Sequence, residues 1–157
     1  MPTDLPNVWA DAAQLQQVLL NLTLNAIQAI RSNRPSGTIT VSARTENRTD
    51  DRARFVRVRV EDDGPGIAAE VRPRVFEPFF TTKYVGQGTG LGLSVSYGIV
   101  TAHGGRLWFE PSDSGGAAFL LELPVAEPSA GRDDEASPTP RDREAPSTGG
   151  LIARRRR

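Results

Sequence analysis

Between Asp62 and Leu93 the chain reads DDGPGIAAEVRPRVFEPFFTTKYVGQGTGLGL, a stretch holding an acidic pair, two glycine clusters, three phenylalanines and one lysine. Glycine gives up more backbone freedom on ordering than any other residue, so this many glycines need a compensating partner, and a bound polyanion is one. Asp62 ends a run of alternating valines and is followed by Gly64 and Gly66, which let a flat ring approach the backbone. A carboxylate at that place accepts the hydrogen bond that the exocyclic amine of adenine donates, and it disfavours guanine, which presents a carbonyl there. Such a charge-assisted bond is worth roughly 1.5–3 kcal/mol. The same residues also suit a turn closed by an Asx side chain.

The second cluster, Gly86 to Leu93, alternates glycine with another residue before a helix opens. Successive N–H groups in such a loop can point at phosphate oxygens, and the helix N-terminus adds partial positive charge. The spacing matches neither the dinucleotide fingerprint nor a Walker A loop. A flexible linker would contain similar glycines, but Leu91 and Leu93 argue for packing. Between the clusters, Phe76, Phe79 and Phe80 ask for an apolar socket that would anchor a lid, and Lys83 would supply charge to the outer phosphates. A small satellite core is the plainer alternative.

These groups need elements to hold them. Asp11 reads as an N-cap with Gln14 three residues on, opening a helix that runs to about Arg31. Leu15, Val18, Leu19, Leu22, Ala26 and Ile30 recur at helical spacing as its buried stripe. Asn21, Asn25 and Gln28 form a polar stripe beside it, and no charge occurs from Leu15 to Ile30. Either that uncharged face meets a neighbouring element, or its amide oxygens face a metal ion or phosphate. Ile39, Val41 and Ala43, then Val56, Val58 and Val60, alternate with polar residues, predicting an antiparallel pair packed on helices from one side. The connection Glu46 to Ala53 is a polar hairpin loop. A second helix spans Leu91 to Ala102 and closes at Gly104-Gly105. Strands at Arg106 to Glu110 and Ala117 to Leu123 follow, joined by a turn over Pro111 to Gly116.

A chain of 157 residues with zero formal net charge lacks the electrostatic footprint of a dedicated nucleic-acid binder. Cysteine is absent, which excludes disulfides and thiolate metal sites. Apolar runs fall far short of the roughly twenty residues of a membrane span, and Met1-Pro2-Thr3-Asp4 is not a leader, so the expected setting is cytoplasmic, without membrane contact. Residues 1–125 read as one domain. Residues 126–157, rich in Pro, Ser and charge and ending in Arg154 to Arg157, read as a disordered tail.

In order and spacing, Asn21 and Asn25, Asp62 with Gly64 and Gly66, Phe76 to Lys83, and Gly88 to Gly92 resemble the N, G1, F and G2 boxes of the histidine-kinase catalytic domain, in the superfamily shared with DNA gyrase, Hsp90 and MutL. The Phe-Glu-Pro-Phe-Phe-Thr-Thr-Lys string and His103-Gly104-Gly105 resemble the nitrogen-regulation type. The resemblance covers about Pro6 to Pro124. It implies an α/β (α+β) two-layer sandwich, with a mixed, largely antiparallel sheet packed on one face by helices and a mobile ATP lid. It implies ATP and Mg²⁺ as cofactors. By that resemblance Asn25 would ligate the metal with Asn21 assisting at the phosphates, Asp62 would read the adenine amine, and Gly64 and Gly66 would let the base approach. Lys83 and the backbone of Gly88, Thr89, Gly90, Leu91 and Gly92 would hold the triphosphate, and Ile67, Phe76, Thr82 and Leu93 would complete the ATP site. No residue is singled out as a chemical catalyst. Water-using ATPases of the superfamily place a glutamate base where this chain has Asn21, which takes no proton at neutral pH. The implied function is therefore transfer of the γ-phosphate to a histidine on a dimerising helical hairpin, with a response regulator as the further partner. A non-catalytic nucleotide-binding module and a superfamily ATPase are the alternatives. His103, the only histidine, fits a structural role or a partner contact better than phosphorylation. At Gly115-Gly116-Ala117-Ala118 the family commonly has Gly-Thr before the last strand.

Overall fold

Asp11 is the hinge between the lead-in and the first helix, as its side chain accepts hydrogen bonds from the N–H groups of Ala13 (2.8 Å) and Gln14 (3.0 Å). That capping is worth about 1 kcal/mol. A computed structural model describes residues 5–47, 54–82 and 88–126. Residues 83–87, with Lys83 and Gly86, the loop 48–53 and the tail beyond Ala126 lie outside the described residues. Helix α1 spans Ala12–Asn33, strand β1 Ile39–Asn47, β2 Arg54–Asp62, helix α2 Gly92–Ala102, β3 Arg106–Pro111 and β4 Ala117–Pro124. A short 3₁₀ turn, Arg72–Arg74, precedes the phenylalanine segment from Phe76 to Phe80.

The four strands form one sheet in the order β1-β2-β4-β3, antiparallel at every step. The expected mixed sheet thus has no parallel pair among the described strands. Val8 adds an isolated antiparallel bridge to Val125, and the Ala126 N–H donates to the Asn7 carbonyl at 2.8 Å, so the lead-in docks on the end of β4.

Both helices cover one face of the sheet. Val18 and Leu22 of α1, Val100 of α2 and Val60, Leu107, Phe119, Leu121 and Leu123 of the strands make the core. The alternate residues of β4, Ala118, Leu120 and Glu122, are also buried. Among the described residues no helix packs on that face; Arg57 pairs with Glu122 and lays its guanidinium 5.4 Å from the Trp108 ring, roofing the face with long side chains.

Three expectations need correction. Leu19 is 37% exposed, because the stripe through Val18, Leu22, Ala26 and Ile30 turns it about 100° away from the sheet. Val41 is 38% exposed, since β1 is the sheet edge and α1 lies mainly over β2. The first helix runs two residues past Arg31, to Asn33, where the Arg34 N–H donates to the Ile30 carbonyl. Gly104 does take the left-handed conformation after α2, at φ 69°. His103 caps α2 and ties the two helices: its Nδ1–H donates to the Ile99 carbonyl at 2.8 Å, and its Nε2 accepts the Asp11 N–H at 3.0 Å. No helix among the described residues is long and apolar enough to cross a membrane.

Candidate functional site

Strand β2 delivers Asp62 to the helix side of the sheet, two residues after the core residue Val60, and so buries a carboxylate that is 3% exposed. Its Oδ1 accepts the N–H groups of Gly64 (2.9 Å) and Ala117 (3.3 Å). The side chain also lines a cavity of about 1020 Å³ between α1, the sheet and the glycine loop. Burial raises the Asp62 pKa above the usual carboxylate range; the two N–H bonds oppose that, and the charges of Asp63 and Glu61 add to it.

Its neighbour behaves in the opposite sense. Asp63 points away from the cavity, accepts the Thr38 N–H at 2.9 Å and pairs with Arg34. The Thr38 N–H, with the Arg34 guanidinium after it, holds the Asp63 carboxyl below its ordinary value. Strand alternation decides which member of the acidic pair enters the cavity.

The glycines divide by role. Gly66, at φ 76°, lines the cavity, and a Cβ there would stand 3.0 Å from the Gly115 carbonyl oxygen. Gly64 sits behind the carboxylate, where a Cβ would come within 2.8 Å of Asp62 Oδ1 and 3.4 Å of the α1 backbone at Ala29. Gly90, at φ 66°, presses on the opposite end of the lid segment, with a Cβ position 2.5 Å from the Phe79 carbonyl carbon. Phe79 is itself left-handed, at φ 63°.

Of the three phenylalanines only Phe76 fills a socket, with its ring centroid 5.4 Å from Tyr97 and 6.4 Å from Phe119. Phe119 lines the cavity and Phe76 stands behind it. Phe80 lines the cavity under the Arg74 guanidinium, 4.3 Å from its ring, whereas Phe79 is 75% exposed. The expectation of a shared socket therefore fails at Phe79, whose backbone, not its ring, makes the close contact.

Asn21 and Asn25 both line the cavity from α1. Asn21 Nδ2 donates to the Gly92 carbonyl and to Ser96 Oγ, each at 3.2 Å, while the Ser96 hydroxyl donates to the same carbonyl at 2.8 Å. Ser96 is fully buried. The amide nitrogen is thereby committed to α2. Gly88, Thr89, Gly90, Gly92 and Leu93 line the cavity, as do Ile67 and Thr82. Leu91 does not; it starts α2, its N–H reaching Thr89 Oγ1 at 3.3 Å and its carbonyl accepting the Val95 N–H. Lys83 lies outside the described residues. The cavity thus brings together the polar stripe of α1, the strand-end aspartate and both glycine clusters.

Several lining residues were not foreseen. Arg31 and Ser32 fall three and four residues after Gln28, so helical periodicity alone would have found them. Ala117 and Phe119 line the cavity from β4, but their spacing marks only a core face. Within Gly115 to Ala118, where the family commonly has Gly-Thr, the Ala117 backbone N–H contacts Asp62.

The amide side chains of Asn21, Asn25 and Gln28 line the cavity, and amide oxygens are hard donors of the kind Mg²⁺ takes. No group of three or more His, Asp or Glu side chains that would hold a metal alone occurs among the described residues. Mg²⁺ is octahedral, takes oxygen ligands, keeps several waters and is bound largely through carboxylates and substrate phosphates. Asn25 lines the same cavity as Gly88, Gly90 and Gly92.

Comparison with known proteins follows the same line. A family profile described as histidine kinase-, DNA gyrase B- and HSP90-like ATPase matches residues 10–127. Sensor protein FixL of Bradyrhizobium diazoefficiens is 42% identical over 121 residues, covering 76% of this chain and 22% of that protein. The chain spans between 13% and 24% of the length of the curated relatives it matches. Among solved structures, the catalytic domain of histidine kinase ThkA superposes with TM-score 0.60 at 40% identity, covering 74% of this chain and 69% of that one. Full-length ShkA in complex with AMPPNP gives TM-score 0.62 at 34% identity, covering 80% of this chain and 24% of that one.

Proposed function

Because the chain belongs to the histidine kinase-, DNA gyrase B- and HSP90-like ATPase family, we propose that it is the ATP-binding catalytic domain of a sensor histidine kinase, binding Mg-ATP and passing the γ-phosphate to a histidine on a separate helical hairpin. Residues 1–125 are the domain and 126–157 its tail, acting in the cytoplasm in a two-component pathway with a response regulator downstream.

One observation carries the choice of kinase over hydrolase. Asp62 is the only carboxylate among the described residues that line the cavity, and the position one helical turn before Asn25 holds an amide tied to Gly92 and Ser96. Attack by water calls for a proton acceptor near the γ-phosphate, and neither Asn21 nor Asn25 provides one. A neutral imidazole is already a nucleophile and needs none. His103 has both ring nitrogens engaged within the fold, which favours an acceptor on another element.

The remaining roles follow from position. Asp62 presents its second oxygen to the adenine amine, with Gly64 setting the carboxylate and Gly66 and Ile67 bordering the base. Phe76 backs Phe119 on the sheet side. Asn25 holds Mg²⁺, and Thr82, Thr89 and the Gly88 to Leu93 backbone surround the phosphates with Lys83. When bound, the metal neutralises the developing charge on the transferring group.

The test mixes the chain with a separate hairpin bearing the acceptor histidine and γ-labelled Mg-ATP. Acid-labile label on the hairpin, and none on the chain alone, is expected. Tight ATP binding without transfer to several hairpins would make the chain a non-catalytic module, and release of inorganic phosphate would make it an ATPase.

A further inference from the structure

The turn between β3 and β4, Pro111 to Gly116, carries polar groups that the roles above leave unused. Ser112 is 8% exposed, and its hydroxyl donates to Glu61 Oε1. The other Glu61 oxygen, Oε2, accepts the Arg59 Nε–H at 3.0 Å, so a cation–carboxylate–hydroxyl chain fixes the turn to β2. Ser112 Oγ also accepts the Ser114 N–H at 3.1 Å, and the Ser112 N–H donates to the Gly116 carbonyl at 3.0 Å, closing the turn on itself.

This turn meets the base end of the cavity at four points. Ser114 Oγ, 2.6 Å from Ser112 Oγ, stands 3.4 Å from the Asp62 carbonyl oxygen. Gly116 lies so close that a Cβ would stand 2.0 Å from the same oxygen. The carbonyls of Gly115 and Gly116 back Gly66, and Ala117, the first residue after the turn, donates its N–H to Asp62 Oδ1 at 3.3 Å. At that length the bond is sensitive to small displacements, because N–H···O attraction weakens beyond about 3.2 Å. A turn that drifted outward would release the carboxylate and move the Gly66 backbone together.

We propose that Ser112, latched to Glu61, is a positioning residue for base recognition, holding the β3–β4 turn so that Asp62 and Gly66 keep the geometry that selects an amine-bearing purine. This rests on the assignment of Asp62 as the adenine contact. A turn that merely ended β3 would need no charged anchor and no contact with Asp62.

The test compares the affinities of Mg-ATP and of purine riboside triphosphate, which lacks the exocyclic amine, by calorimetry, with melting curves for each variant. Wild type prefers ATP. Ser112→Ala and Glu61→Ala lose about three- to tenfold of that preference, chiefly through weaker ATP binding, and Ser112→Thr restores it. Equal losses for both nucleotides, or a preference unchanged in Ser112→Ala and Glu61→Ala, would overturn the proposal and leave a structural turn. A wild type with no preference between the two would overturn the Asp62 assignment, and this inference with it.

Discussion

Asn21 on α1 and Ser96 on α2 are joined by an N–H···O bond of 3.2 Å that fastens the two helices where the glycine loop enters α2. Because the Ser96 hydroxyl also holds the Gly92 carbonyl, the three groups form a small closed network rather than a single contact. Its effect is to commit the Asn21 nitrogen and set the plane of the amide.

Ser96→Ala should therefore cost about 0.5–1.5 kcal/mol of stability, read by urea denaturation. The same loss should appear only in part when Asn21 is already alanine, because neighbours in one network are not additive. Fully additive effects in the double mutant would show that the two side chains do not cooperate.

Asp62→Asn separates binding from folding. The Asp62 pKa is raised, so its favourable contribution to folding is full below the ordinary aspartate value near about 3.9 and is lost as pH rises through the shifted one. At pH 7 the buried charge opposes folding. Asparagine keeps an acceptor for the Gly64 and Ala117 N–H groups and removes the charge, so melting temperature at pH 7 should hold or rise. Its NH₂ would meet the adenine amine donor to donor, and ATP affinity should fall on the order of tenfold to a hundredfold. Calorimetry and thermal melts on the same sample check both parts.

Much of this was legible from the chain alone. The N-cap at Asp11, the helical spacing of Val18, Leu22, Ala26 and Ile30, and the period-two pattern around Val60 fixed the elements, because each is a local pattern. The same periodicity placed Asn21 and Asn25 on one face, and both do line the cavity. What stayed hidden was long-range. Nothing local says that Ser96 meets Asn21, that Ala117 closes on Asp62, or that Phe79 would be exposed while Phe76 is socketed, since each depends on how α2 and β4 stack against α1 and β2. The edge position of β1, which exposes Val41, is likewise a property of strand order and not of sequence pattern.

Acid should protonate Asp62 before Asp63, and the loss of stability should come with Asp63, outside the cavity. Asp63 is depressed by the Thr38 N–H and by Arg34, so the stability it supplies is present above the ordinary aspartate pKa of about 3.9 and disappears as pH falls through its lowered value. Asp63→Asn should be less stable than wild type at pH 7, and the gap should close on acidification below pH of about 4. Melting temperatures of both proteins across that range give the answer; a gap independent of pH would mean that the Asp63 charge contributes nothing.

Gly90→Ala tests the junction between the two ends of the lid segment. Gly90 is left-handed at φ 66°, and the added Cβ would lie 2.5 Å from the Phe79 carbonyl carbon, which is backbone and has no rotamer to escape into. The left-handed conformation alone costs a non-glycine residue about 1–2 kcal/mol, and relief of the clash requires the Phe79 and Gly90 segments to part. Since Phe80, Thr82 and Gly88 to Gly90 all border the cavity, that parting should weaken ATP binding by roughly fivefold to thirtyfold, the equivalent of the same 1–2 kcal/mol. Gly98→Ala in α2 is the control, because a Cβ there meets nothing within 4 Å. It should stabilise the helix by roughly 0.5–1 kcal/mol and leave ATP affinity unchanged. Equal ATP affinity in the two variants would show that the Phe79–Gly90 contact does not shape the site.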